Sequence, residues 1–184
     1  VLFWLSVQFK KYIPSILFRP VIGGALIAGL ITLLGFKYAG LGLNTIVSSF
    51  SVEQGFDVFA AKLAVTVLTL SSGFKGGEVT PLFFIGATLG SALSFVIPLP
   101  IGLLAGVGFV AVFSGATNTP IACTLMGLEL FASESLGLSL PVFLALGCFV
   151  SYYSSGHTGI YSSQIINRSK YGFSSKKTGK RLSD

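Results

Sequence analysis

One carboxylate stands out by its surroundings. Glu78 lies in SSGFKGGEVTPLFFIGATLG, residues 71–90, where a glycine-rich loop feeds an apolar stretch and Lys75 precedes the acid by three residues. An ionisable group in such a setting is costly to keep, so a proton relay or an ion partner is the favoured reading, against a carboxylate that only complements a helix dipole. Thr80 and Pro81 fit the N-cap and first position of the helix that follows. The other first-turn amides and the glycine-loop amides then have no intrahelical acceptor, and donors of that kind favour an anion. Lys75 can neutralise Glu78 or reach outward as an ordinary loop lysine. Phe83 or Phe84 can turn a ring edge, the positive end of its quadrupole, toward an anion. With 17 phenylalanines in the chain, core packing competes for both.

A second break, SGATNTP at residues 114–120, repeats the threonine-proline pattern at Thr119 and Pro120, for which an ordinary helix cap is the alternative. Little else offers chemistry. His157, the single histidine, stands in the turn-like SSGHTG with no second histidine or cysteine at ligand spacing, so neither a metal site nor a metal cofactor is expected. The glycine loop lacks the GK[ST] ending of a phosphate-binding loop. Cys123 and Cys148 each sit within apolar sequence as small hydrophobic thiols. No nucleophile has a base beside it, so an intramembrane enzyme is disfavoured and no catalytic residue is assigned. A purely structural subunit would leave Glu78 unexplained.

The elements that must position these residues are apolar throughout. Of the 184 residues 52% are hydrophobic and 10% charged, with a mean hydropathy of +0.85, which leaves too little polar surface for a water-facing domain and implies an all-α integral membrane fold. Residues 15–35 are long enough to span a bilayer, whereas 56–71, 81–96, 99–113, 120–132 and 138–153 are short and interrupted by glycine or proline, as in transporters whose broken helices meet around a site. Gly86, Gly90 and Ser94, and likewise Gly102 and Gly106, have the spacing of close helix packing. Half of the 12 Lys and Arg residues fall in the last seventeen positions, which favours a cytoplasmic C-terminus over a nucleic-acid surface. Two units are expected, a transmembrane helical domain over 1–171 and a basic cytoplasmic tail over 172–184. Val1 to Phe9 resembles the end of a helix begun upstream, so the natural N-terminus is expected to be missing.

The run Gly77-Glu78-Val79-Thr80-Pro81 followed by LFFIGA resembles the second-half signature of the CLC anion channels and anion/proton antiporters. SGATNTPIACTLMGLELF resembles that family's next helix pair, and Tyr161, in GIYSSQIINR, sits where its last helix carries an anion-contacting tyrosine, although Tyr152, Tyr153 and Tyr171 are nearby. The resemblance implies a CLC-like bundle of tilted, short and broken helices, here the C-terminal half of the subunit. Most chloride-handling members have an apolar and a small residue where Glu78 and Thr80 stand, and the GGEVTP form resembles the fluoride/proton antiporter branch. It implies Glu78 for proton coupling and, with Val79, for backbone contact to the ion, and Thr80, Phe84 and Tyr161 as further contacts. It also implies multi-pass insertion in a bacterial-type plasma membrane, the lipid bilayer as partner, and a homodimer through residues 120–153, with Glu129 as a structural or interface carboxylate. Anion transport across the membrane, by fluoride/proton antiport, is the function it implies. A chloride channel or chloride/proton antiporter is the alternative.

Overall fold

Glycine, proline and one left-handed asparagine cut the apolar sequence into helices of 17 residues or fewer. The computed structural model describes residues 18–74, 76–131, 139–156 and 159–161, together with Lys11 and Ser15. Among them run α1 (Phe18–Leu34), α2 (Leu43–Ser48), α3 (Phe56–Ser71), α4 (Val79–Ala92), α5 (Ile101–Thr117), α6 (Pro120–Leu130) and α7 (Ser139–Ser154), with 3-10 turns at Phe36–Tyr38 and Leu93–Phe95. α1 gives way at Gly35, whose φ of 103° a side chain would resist, and α5 ends at Asn118, which takes the left-handed conformation at φ 60°.

An all-α bundle therefore forms, but the membrane-spanning part of the expectation is overturned. Among the described residues no helix is long and apolar enough to cross a membrane. The two longest, α1 and α5, have 17 residues each, or about 25 Å at the α-helical rise, against a hydrocarbon thickness of about 30 Å. The span expected over 15–35 is α1, and it stops at Leu34. This corrects the integral-membrane fold, the transmembrane-helix assignment, the multi-pass location with a cytoplasmic C-terminus, the bilayer as partner and the passage of ions across a membrane by this chain. Hydropathy adds residues across breaks that the backbone respects. Residues 1–9, Lys75, His157, Tyr171 and the 172–184 tail lie outside the described residues. In the region expected to pair with a second copy, Ile121 and Leu125 on α6 and Val142 and Leu146 on α7 are exposed.

α4 and α5 form the central antiparallel pair. A Cβ on Gly86 would overlap the Gly108 carbonyl, one on Gly90 the Leu104 carbonyl, and one on Gly108 the Gly86 carbonyl, so the two backbones touch along this line. Gly86 and Gly90 are thus the seam read from the sequence. Their partner glycine is Gly108, whereas a Cβ on Gly106 would face the Phe131 ring at 3.4 Å and Ser94 leaves the helix for a 3-10 turn. Continuing the register places Thr80 level with Ser114 and Glu78 level with Ala116.

Two cores flank this pair. Tyr38, Ile46, Val58, Val65, Phe84 and Ala87 form one; Leu103, Val110, Cys123, Leu140, Leu144 and Cys148 form the other. Phe109 packs against both. Its ring stacks on Phe83 at 4.1 Å and 6° and meets Phe131 edge-on at 6.0 Å. Two serines fasten the periphery, Ser91 through Val52 and Gln54, and Ser114 through the Cys148 carbonyl at 3.0 Å.

Candidate functional site

The loop that precedes α4 is anchored from behind before it reaches the helix. Gly23 of α1 lies so close to Ser72 that a Cβ there would overlap the serine side chain, which fixes the end of α3 against α1. Ser71 beside it is buried, and its Oγ is the buried side-chain oxygen among the described residues that has no partner. The chain then passes exposed Gly76 and Gly77 to Glu78. α4 begins two residues earlier than its cap pattern suggests. Glu78 is the N-cap, already in αR geometry at φ −86° and ψ −17°, so Thr80 and Pro81 fall at the second and third helical positions. Proline is tolerated there because its missing N–H would have found no intrahelical acceptor.

The result is a helix end whose donors are unspent. Leu82 N–H makes the first intrahelical bond, to the Glu78 carbonyl at 3.3 Å, which leaves the Val79 and Thr80 amides ahead of the ladder. Neither the Thr80 hydroxyl nor the Glu78 carboxylate caps the helix or bonds elsewhere among the described residues, and Glu78, Val79 and Thr80 are all half-buried. Two amides and a hydroxyl near the positive end of a helix dipole suit an anion, and an adjacent carboxylate can take up a proton that arrives with it.

Phe84 is one turn further in and fully buried. Its ring lies against Gly42, where an added Cβ would come within 2.6 Å of Cδ2 and Cε2, and Gly42 itself has φ 69°, so backbone conformation and ring contact both demand glycine. The Lys62 ammonium stands 5.0 Å from the Phe84 ring centroid. Phe83, the other candidate, is taken up by stacking with Phe109.

Tyr161 is brought to the same end of the bundle by its neighbour. Ile160 N–H donates to the Ala116 carbonyl at 2.9 Å, pinning this segment to the last turn of α5, and Tyr161 is half-exposed there. Glu78, Val79 and Thr80 thus stand at the start of α4, with Phe84 one turn further in. The second break is shorter than 114–120, because α5 continues to Thr117 and only Asn118 and Thr119 interrupt it. Thr119 is the N-cap of α6 as the threonine-proline pattern has it, but its side chain makes no cap bond. Its hydroxyl pairs instead with Thr117 Oγ1 at 2.7 Å and Cys123 Sγ at 3.5 Å. Tyr152 and Tyr153 contact each other edge-on at 5.2 Å. Glu129 is exposed.

The profile of the voltage gated chloride channel family matches residues 1–156. A chloride/fluoride channel protein of Pseudomonas syringae pv. tomato (strain ATCC BAA-871 / DC3000) is 48% identical over 169 residues, which are 88% of this chain and 36% of that protein. Among solved structures, a CLC-type fluoride/proton antiporter matches with a TM-score of 0.76 at 41% identity, covering 84% of this chain and 38% of that one. The chain spans little more than a third of the length of these relatives. On the profile match, the identity and the shared fold, the chain belongs to the CLC family of anion channels and antiporters, with the GGEVTP loop of its fluoride/proton antiporter branch.

Proposed function

We propose that the chain binds a small halide, fluoride in preference to chloride, at the N-terminus of α4, as the anion-binding part of a CLC-family ion transport protein. The family consists of channels and antiporters, so the chemistry required is binding and release rather than covalent change. The observation that carries the reading is the set of unspent donors at Val79 and Thr80 beside a Glu78 carboxylate that has no partner among the described residues. Fluoride is the smaller and harder acceptor, which suits short charge-assisted bonds from two amides and a hydroxyl. The relatives described as a chloride/fluoride channel protein and a fluoride/proton antiporter support the same choice.

In this reading Val79 and Thr80 supply the amides, Thr80 adds its hydroxyl, and Phe84 forms the floor. Tyr161 completes the rim, and Glu78 carries the proton that accompanies the ion. The proposal assigns no bilayer crossing to these helices. It is tested by titrating the purified full-length protein with fluoride and with chloride. Saturable fluoride binding that weakens in Thr80→Ala supports it, and equal or tighter chloride binding removes the preference.

A further inference from the structure

Lys62 is a charge that the anion site does not yet use. It lies on α3, is 2% exposed, and donates from Nζ to the carbonyl oxygens of Tyr38 at 3.0 Å and Gly40 at 2.7 Å, with the face of Phe84 5.0 Å from Nζ to the ring centroid. An ammonium has three N–H donors, and two carbonyls and one ring face account for them. No carboxylate among the described residues offsets its charge, and burial pushes the Lys62 ammonium below the usual lysine range. A buried cation without a buried counter-ion is costly to keep. Here it lies under a ring one turn from a helix N-terminus that is itself partly positive, so two positive centres lie near the anion site, with Glu78 the carboxylate at the helix cap.

We propose that Lys62 is a positioning residue of the halide site, holding the Tyr38–Gly40 backbone and the Phe84 ring in one arrangement and adding a fixed positive charge behind the bound anion. A cation on the face of a ring draws its π electrons and leaves the edge more positive, which favours an anion at that edge. Gly42 backs the same ring, so the ring cannot tilt away without moving the 38–42 backbone that Lys62 holds. Lys62 has this role only if α4 binds the anion as proposed above. If it were merely a staple between α3 and the 38–40 segment, its loss would lower stability and leave halide affinity alone.

The test is fluoride titration of the purified full-length protein, unmutated and as Lys62→Arg, Lys62→Met and Lys62→Gln, with unfolding followed in parallel. Lys62→Met is expected to bind fluoride about tenfold more weakly, and Lys62→Arg to stay within about threefold of the unmutated protein. In a Phe84→Leu background the additional loss on Lys62→Met should shrink to about threefold or less, because the ring that couples charge to site is gone. Should Lys62→Met not fold, Lys62→Gln, which keeps a donor for the carbonyls without the charge, is expected to show the same weakening. A folded Lys62→Gln or Lys62→Met with unaltered fluoride affinity overturns the role of Lys62 alone. Absence of saturable fluoride binding by the unmutated protein overturns the α4 site and this role with it.

Discussion

Thr80 and Glu78 stand two residues apart and are asked to do different things, so their substitutions separate. Thr80 has a half-buried hydroxyl with no partner among the described residues, so Thr80→Ala should leave the unfolding midpoint nearly unchanged. It should weaken fluoride binding by roughly tenfold, the scale of one hydrogen bond to a charged acceptor. Glu78→Gln keeps the N-cap backbone and the amides, so fluoride should still bind, while the proton uptake that accompanies binding, read by calorimetry in buffers of different ionisation enthalpy, should vanish. Persisting uptake would move proton coupling to another residue. Glu78 was legible in the sequence because a lone carboxylate in an apolar run is conspicuous. The environment of Phe84 was not, because Lys62 on α3 and the 38–42 backbone, with Gly42 and the Tyr38 carbonyl, meet at the ring only in the fold.

At the scale of the helices, the α4/α5 contact sets where the donors of α4 point. Gly86→Ala or Gly108→Ala forces a Cβ into a backbone carbonyl of the facing helix, which cannot yield as a flexible side chain would. Each should destabilise by about 1–3 kcal/mol in chemical denaturation, whereas Gly29→Ala, with open space around it, should not. Helix boundaries were read best where composition changes abruptly: α3 occupies residues 56–71 as the apolar pattern has it. They were read worst at the start of α4 and correctly at α6, whose N-cap is Thr119 and whose first residue is Pro120. At α4 a glutamate with helical dihedrals takes the cap that Thr80 was expected to provide. At α6 the Thr119 hydroxyl turns toward Thr117 and Cys123, a choice fixed by side-chain neighbours that spacing does not reveal. Small-residue spacing located the seam on α4 and misjudged its partner, because Gly102, Gly106 and Gly108 carry the same signal and only packing selects Gly108.

For the molecule as a whole, apolar composition gave the all-α class but overstated what one helix can reach, since no described helix is long and apolar enough to cross a membrane. The two cores assign stability and binding to different places. Leu144 is fully buried among Val110, Cys123 and Cys148, away from the α4 N-terminus, so Leu144→Ala should cost about 2–5 kcal/mol in unfolding free energy and leave the fluoride affinity of the remaining folded protein unchanged. A change in affinity would mean that the second core positions the site. The central claim is that the first turn of α4 holds a fluoride ion, and the direct measurement is a calorimetric titration of the purified full-length protein with fluoride and with chloride, repeated on Thr80→Ala. Saturable fluoride binding, tighter than chloride and weakened in Thr80→Ala, is the predicted result. No saturable fluoride binding, or binding indifferent to Thr80, would contradict it.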